Sequence, residues 1–341
     1  MILMDQRLGL VRAAYLNDFV TILRDVGVPV DRFLAQSSLP QNIEEIPQMQ
    51  ISTPTAVDWL AKVGNDINPM ELGLLASVYA TSSSLLPVLQ TVLTSAHSGI
   101  KRLEALIGLM LYEDRTLKIR IRKKADSYCV DIQSPLKNHR YNCFQEWLCF
   151  QAIIAVIRSV TDPEWCPKEL SFTSHIRPPE VIYNAYPNTR IFCAQPLTSI
   201  TIPTLDLMKT YGKVGASALN PHTLSQATNL YQEAAAWELP SYLRTLVKPY
   251  LTDGPIKIDT VAEITGISTR TLQRNLKENG SSYSQIIQEA RFELACSHLN
   301  NQDMKVIDVA IALGYENPQH FSRAFRRISG ITPSEYRTQI L

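Results

Sequence analysis

Apolar residues in the first hundred positions recur at steps of three and four, the spacing that gathers them on one face of a helix. In Leu8–Gly27, LGLVRAAYLNDFVTILRDVG, this step runs up to a glycine stop, and PVDRFLAQS restarts it behind a proline. TPTAVDWLAKVGND opens with Thr53 at the N-cap and Pro54 in the first turn, where a missing N–H costs nothing. NPMELGLLASVYA, SLLPVLQTVLTSA and GIKRLEALIGLML continue the helical array. At Arg115–Lys124, RTLKIRIRKK, the period drops to two, with Leu117, Ile119 and Ile121 alternating with Lys118, Arg120 and Arg122. YCVDIQ follows after the turn-forming KADS, which predicts a β-hairpin with one wet, basic face. That face is read as a solvated edge that discourages strand pairing between molecules, in preference to a DNA contact. A long helix through YNCFQEWLCFQAIIAVIRSV comes next. A strand in ELSFTS, a helix in PPEVIYNAYP and one or two strands in RIFCAQPLTSITIP complete a mixed α+β region.

From Lys209 to Leu239 the chain turns polar and rich in alanine and other small residues, which predicts a loop, a connecting helix and a domain boundary. The expected layout is a first domain over 1–208, a linker over 209–239 and an all-α domain over 240–341. A length of 341 residues suits two or three domains, and 45% hydrophobic with 19% charged residues fills ordinary cores rather than a disordered chain. The six cysteines are scattered, without a C-x-x-C pair or a histidine at finger-like spacing, so neither a metal nor a cofactor is expected. CFQAIIAVI, Cys149–Ile157, is the longest apolar stretch and falls well short of the roughly 20 residues of a membrane helix. The N-terminal MILMDQRLGL lacks the pattern of a secretory signal, and a cytoplasmic protein is expected.

A formal net charge of +1 argues against nucleic acid only if the charge is evenly spread. It is not. VAEITGISTRTLQRNLKENG (Val261–Gly280) aligns with VAIALGYENPQHFSRAFRRISG (Val309–Gly330). Val261, Ala262 and Gly266 match Val309, Ala310 and Gly314 at an offset of 48; Leu272, Arg274 and Leu276 match Phe321, Arg323 and Phe325 at 49. The slip of one falls in a turn. Alanine lets a second helix cross closely and glycine takes the positive φ that ends the first, so each copy predicts a helix-turn-helix, at about 259–280 and 306–330.

In the first copy Leu272 and Leu276 form an inward pair, leaving Arg270, Gln273, Arg274 and Lys277 as one outward stripe. In the second, Phe321, Phe325 and Ile328 are expected inward, and Gln319, Ser322, Arg323 and Arg326 outward, behind an Asn317–Pro318 helix start. Arginine offers two donors to guanine O6 and N7, and glutamine matches adenine N6 and N7, so both stripes suit the major groove of double-stranded DNA. His320 is expected to touch a phosphate or nothing. Between the copies Ser281–Leu299 is helical by period, with Tyr283, Ile286, Ile287, Leu294 and Leu299 available for packing. At roughly 1.5 Å per residue its 18 or so residues span about 27 Å, a length that suits placing two recognition helices about one DNA turn, or 34 Å, apart. TPSEYR then offers a capping box, Thr332 with Glu335, for a closing helix.

On these residues the last hundred positions resemble the AraC/XylS family of bacterial transcription regulators. The resemblance implies a seven-helix domain with two helix-turn-helix units joined by a long helix. It places base contacts on Arg270, Gln273 and Arg274, and on Gln319, Ser322 and Arg323. The first unit is one residue shorter between Leu276 and Gly280 than in many relatives, next to the candidate phosphate contact Lys277. FVTILRDVGVPVDRFLAQSSLP and RIFCAQPLTSITIP resemble the arabinose-binding-type sensor domain of some members. Such a domain implies a small organic effector and a homodimer, with RNA polymerase as a further partner if the protein activates. Tyr183, Tyr186 and Arg190, near the late strands, are the candidate effector contacts. Two other readings of the first domain stand beside this one: an oligomerisation module without a ligand, and an enzymatic domain. Some relatives carry a zinc-cysteine DNA-repair alkyltransferase, which the scattered cysteines argue against, and no G-x-S-x-G, P-loop or H-E-x-x-H occurs.

Overall fold

The computed structural model describes residues 9–114, 116–210, 238–251, 254, 256–301, 304–315 and 317–340. Two compact units account for the chain: Met1–Ser37 with Ser52–Ala236, and Ser38–Ile51 with Trp237–Leu341. Most of the expected linker and its connecting helix, at 211–237, lies outside the described residues.

The N-terminal unit is mixed α and β. After short strand β1 (Leu10–Arg12) come helices α1 (Ala13–Asp25) and α2 (Val30–Ala35); strand β2 (Gln50–Ser52), of which only Ser52 falls in this unit, leads into α3 (Thr53–Val63), α4 (Pro69–Ser82), α5 (Leu86–Ser95) and α6 (Gly99–Glu113). The hairpin is β3 (Lys118–Lys123) with β4 (Ser127–Gln133), followed by α7 (Cys143–Arg158), β5 (Glu169–Ser171), α8 (Glu180–Ala185), β6 (Arg190–Phe192), β7 (Thr198–Pro203) and α9 (Thr204–Met208). Two expectations shift slightly. The first helix starts at Ala13 because Leu10–Arg12 is extended. The cap of α3 is Ser52 rather than Thr53, since the Ser52 side chain accepts the amide of Thr55 at 3.3 Å.

Five strands form one sheet in the order β3-β4-β7-β5-β6, antiparallel except for β5 with β6. β3 is an edge, and Lys118, Arg120 and Arg122 on it are exposed as the alternation predicts. α7 is the core: 12 of its 16 residues are buried, the signature of a helix surrounded by protein. Trp147 on α7 packs against Phe172 and Tyr186 at ring distances of 5.0 and 5.8 Å. α4 crosses α7 at Gly73, where a Cβ would stand 2.8 Å from the Trp147 ring. That crossing admits no side chain.

The C-terminal unit is helical: α10 (Leu239–Val247), a 3-10 turn (Lys248–Tyr250), α11 (Ile258–Thr265), α12 (Thr269–Glu278), α13 (Tyr283–Leu299), α14 (Val306–Ala312), α15 (Pro318–Ser329) and α16 (Pro333–Ile340). Arg244 on α10 grips α13 through Glu289 at 2.7 Å and Glu293 at 3.2 Å. Ser38–Ile51 belongs to this unit, with Leu39 and Ile43 buried and the Ser38 carbonyl accepting from the Tyr250 hydroxyl at 3.0 Å. The capping box of α16 forms in both directions: the Thr332 amide donates to Glu335 at 2.7 Å and the Glu335 amide to Thr332 at 3.2 Å.

Candidate nucleic-acid interface

The repeat in sequence is a repeat in hydrogen bonding. α11 ends at Gly266, whose φ of +64° is the left-handed conformation that glycine takes without strain, and the Ile267 amide donates to the Ala262 carbonyl at 3.1 Å. After α14, Gly314 has φ +73° and the Tyr315 amide donates to the Ala310 carbonyl at 3.0 Å. The alanine thus marks the acceptor of the same closing bond in both copies. Each following helix is capped: Asn317, as expected, accepts from the Gln319 amide at 2.7 Å, and Ser268, which the sequence pattern does not assign, accepts from the Thr271 amide at 3.3 Å.

Leu272 and Leu276 of α12 are each 1% exposed, and Phe321 and Phe325 of α15 each 2%. Phe325 is held by Phe292 of α13 and Tyr336 of α16, at ring distances of 4.9 and 5.4 Å. Burying one face of α12 and α15 this way turns the other outward. Arg270, Gln273, Arg274 and Lys277 on α12 are exposed, as are Gln319, Arg323 and Arg326 on α15, with Ser322 half-buried among them. His320 is exposed beside that stripe. Ile328 departs from its expected inward place: it is 41% exposed, one turn from the Gly330 terminus of α15. Arg274 makes a 3.8 Å ion pair with Glu278. Among the described residues no side-chain hydrogen bond or ion pair engages Arg270, Gln273, Gln319 or Arg323, whose side chains are exposed. Sequence reasoning left Arg327 unassigned. Its guanidinium donates to Gln288 of α13 at 3.1 Å, which ties α15 to the long helix; an arginine one place off the stripe was the only signal for it.

The candidate effector residues of the N-terminal unit do not share one cavity. Tyr186 is 3% exposed, stacked on Trp147, and its hydroxyl accepts from Gln151. Tyr183 is 43% exposed and borders a surface depression with Arg177 and Glu180. Arg190 is exposed and paired with Glu169. A different cavity, of about 80 Å³, lies among β1, α1, α6 and α7. Leu85, Leu117, Leu148, Cys149 and Ala152 wall it, and Arg12, Tyr15, Glu113 and Gln145 stand at its polar end. Arg12 pairs with Glu113 at 2.8 Å, and the Tyr15 hydroxyl donates to the same carboxylate. Asp114 accepts from Gln145 at 3.0 Å and from the Thr116 amide at 2.9 Å, and burial raises its pKa above the usual carboxylate range. No periodic pattern links residues 12, 113 and 152, so only folding reveals this site.

Residues 261–339 match the family described as a helix-turn-helix domain. The chain is similar to the regulatory protein SoxS of Salmonella typhimurium, 37% identical over 89 residues, which cover 26% of this chain and 83% of that protein. It is also similar to the ornithine utilization regulator of Pseudomonas aeruginosa, 36% identical over 70 residues, 20% of this chain and 21% of that one. The match thus spans about a fifth of the latter's length. A solved structure, the transcriptional regulator CdpR from Pseudomonas aeruginosa, overlaps 90% of this chain and 97% of its own, at 19% identity and a TM-score of 0.38.

Proposed function

The chain belongs to the AraC/XylS family of DNA-binding transcriptional regulators, and we propose that it seats two helix-turn-helix units, α11–α12 and α14–α15, in successive major grooves of one duplex. It is a regulator and not an enzyme. The observation that carries the proposal is the repeated closing bond at Gly266 and Gly314, followed each time by a capped helix with an outward arginine and glutamine stripe. Arg270, Gln273 and Arg274 of the first unit and Gln319, Ser322 and Arg323 of the second are assigned to base edges, Lys277 and Arg326 to phosphates. At about 25 Å for 17 residues, α13 is the spacer. Selection of binding sites from random duplexes by the full chain should return two conserved blocks centred about one helical turn apart. A single block would contradict the two-unit reading.

The N-terminal unit is assigned to effector sensing and homodimerisation, an arrangement like that of arabinose-binding-type sensors. Its support is economy: the DNA-reading helices have their own core and do not need a second, mixed α/β core in order to fold. We place the protein in the bacterial cytoplasm, with RNA polymerase as its partner if it activates. No single described helix is long and apolar enough to cross a membrane. The sensor reading requires an effector that changes operator affinity, because a ligand bound equally by both states shifts nothing. An N-terminal unit that serves only to oligomerise would show identical operator affinity with every metabolite tested.

A further inference from the structure

We propose that the cavity among β1, α1, α6 and α7 is the effector site, and that it takes a small neutral molecule: an apolar body about the size of one ring, with a single hydroxyl or carbonyl. This rests on the reading that the N-terminal unit senses a small molecule, and it adds the place and the chemical class. Three observations carry it. The cavity is walled by apolar side chains from three parts of the chain, with Leu148, Cys149 and Ala152 of α7 facing Leu85 and Leu117. Its volume of about 80 Å³ exceeds the roughly 10–15 Å³ that one water needs, and is about half that of an apolar cavity that holds benzene. Met110, unbranched and adaptable, lines it and can give further room.

The third observation is the charge balance of the polar end. The Arg12 cation already faces Glu113 at 2.8 Å, and the Glu113 carboxylate also accepts from Tyr15. The Asp114 carboxylate is occupied by Thr116 on one oxygen and by Gln145 on the other. A carboxylate would find the Arg12 cation already paired with Glu113, an ammonium would find both Asp114 oxygens already held by Thr116 and Gln145, and either would lose its hydration, an unfavourable exchange. A neutral hydroxyl or carbonyl gains a hydrogen bond at the Arg12–Glu113 pair without breaking it. Those two side chains keep 14% and 20% exposure, so the polar end reaches solvent and the apolar body points inward. The same end is wired to the break between α4 and α5: Arg12 donates to the Ser84 carbonyl at 3.3 Å, and the buried Asp18 holds the Ser83 and Ser84 hydroxyls. Occupancy therefore bears on how α1, α5 and α6 sit together.

Three probes of one ring and different charge test the class on the full chain: phenol, benzoate and benzylamine, titrated by thermal shift. Phenol should raise the midpoint with an apparent dissociation constant at least about tenfold below that of either charged probe. Ala152→Phe fills the cavity and should abolish the phenol shift. Leu148→Ala enlarges it and should let 1-naphthol replace phenol as the tighter probe. A cooperative melt shows that each variant folds, and the two substitutions push in opposite directions, so misfolding of one does not remove the test. Tighter benzoate or benzylamine binding overturns the chemical class. A phenol shift that survives Ala152→Phe, or no shift with any probe, overturns the site and leaves the sensor reading standing. Phenol binding that Ala152→Phe abolishes, but that never alters operator affinity, keeps the site and sinks the sensor reading.

Discussion

The two units deploy their charged side chains in opposite ways. In the C-terminal unit the arginines of α12 and α15 stand outward on faces whose reverse sides are buried, with Leu272, Leu276, Phe321 and Phe325 at 1–2% exposure. In the N-terminal unit Asp18, Asp114, Glu146 and Arg102 are buried at 3–8% exposure, each with internal partners. Arg102 donates to the carbonyls of Ala96, Leu93 and Ser159; Glu146 accepts from Thr173 and Thr198. A unit that reads a macromolecule must leave its donors in solvent until the partner arrives. The N-terminal unit instead holds these charged groups inside, against protein partners, as suits the proposed sensor.

The largest expected effect separates scaffold from reader. Phe325→Ala should cost about 3–5 kcal/mol of stability in the C-terminal unit, by loss of buried area and a residual cavity, measured by denaturant unfolding. Arg323→Ala or Arg274→Ala should leave that stability unchanged within about 0.5 kcal/mol and cost about 1–3 kcal/mol in operator binding, with preference relaxed at one base pair. Equal weakening on every sequence would reassign the arginine to phosphate. Gly314→Ala tests the turn itself: no atom lies within 4 Å of the added Cβ, so the cost is conformational, about 1–2 kcal/mol at φ +73°.

The smallest effect is a difference in the sign of pH dependence. Burial raises the pKa of Asp18, Asp114 and Glu146, so the unfolded chain gives up these protons first; their contribution is full at low pH and is lost as pH rises through the raised values. In the C-terminal unit burial lowers His298, and the Thr332 amide and hydroxyl lower Glu335. There the contribution is present at neutral pH, and it is lost as pH falls, first through the depressed His298 value and then through that of Glu335. Peptide-resolved hydrogen exchange at pH 7 and pH 5, corrected for intrinsic rates, should show the C-terminal unit weakening relative to the N-terminal one. A shift in the same direction and of equal size in both would break the comparison.

The same contrast sets what the sequence reveals. The C-terminal helices, their caps at Asn317 and Thr332, and the faces of α12 and α15 follow from local spacing, because period and capping act within a few residues. The hairpin β3–β4 was legible for the same reason. Strand order was not: β4 pairs with β7 some seventy residues on, and β5 with β6 in parallel, which no local pattern specifies. Nor was the place of Ser38–Ile51 in the C-terminal unit, which depends on where Leu39 and Ile43 find cover. In the sequence, aromatic and basic character near the late strands marks Tyr183, Tyr186 and Arg190 as candidate effector contacts. Tyr186 instead fills the core beside Trp147, as tyrosine does when its hydroxyl finds a partner such as Gln151.

The claim that two units read one face of a duplex meets its most direct test in the selected operator. Inserting about 5 bp, half a turn, between the two sub-sites carries one of them to the far side of the DNA. If α13 is a rigid spacer, affinity of the full chain should collapse toward non-specific binding, and inserting a full turn should not restore it. Changing the bases between the sub-sites at constant length should matter little. Unchanged affinity after the half-turn insertion would mean that only one of α12 and α15 reads DNA.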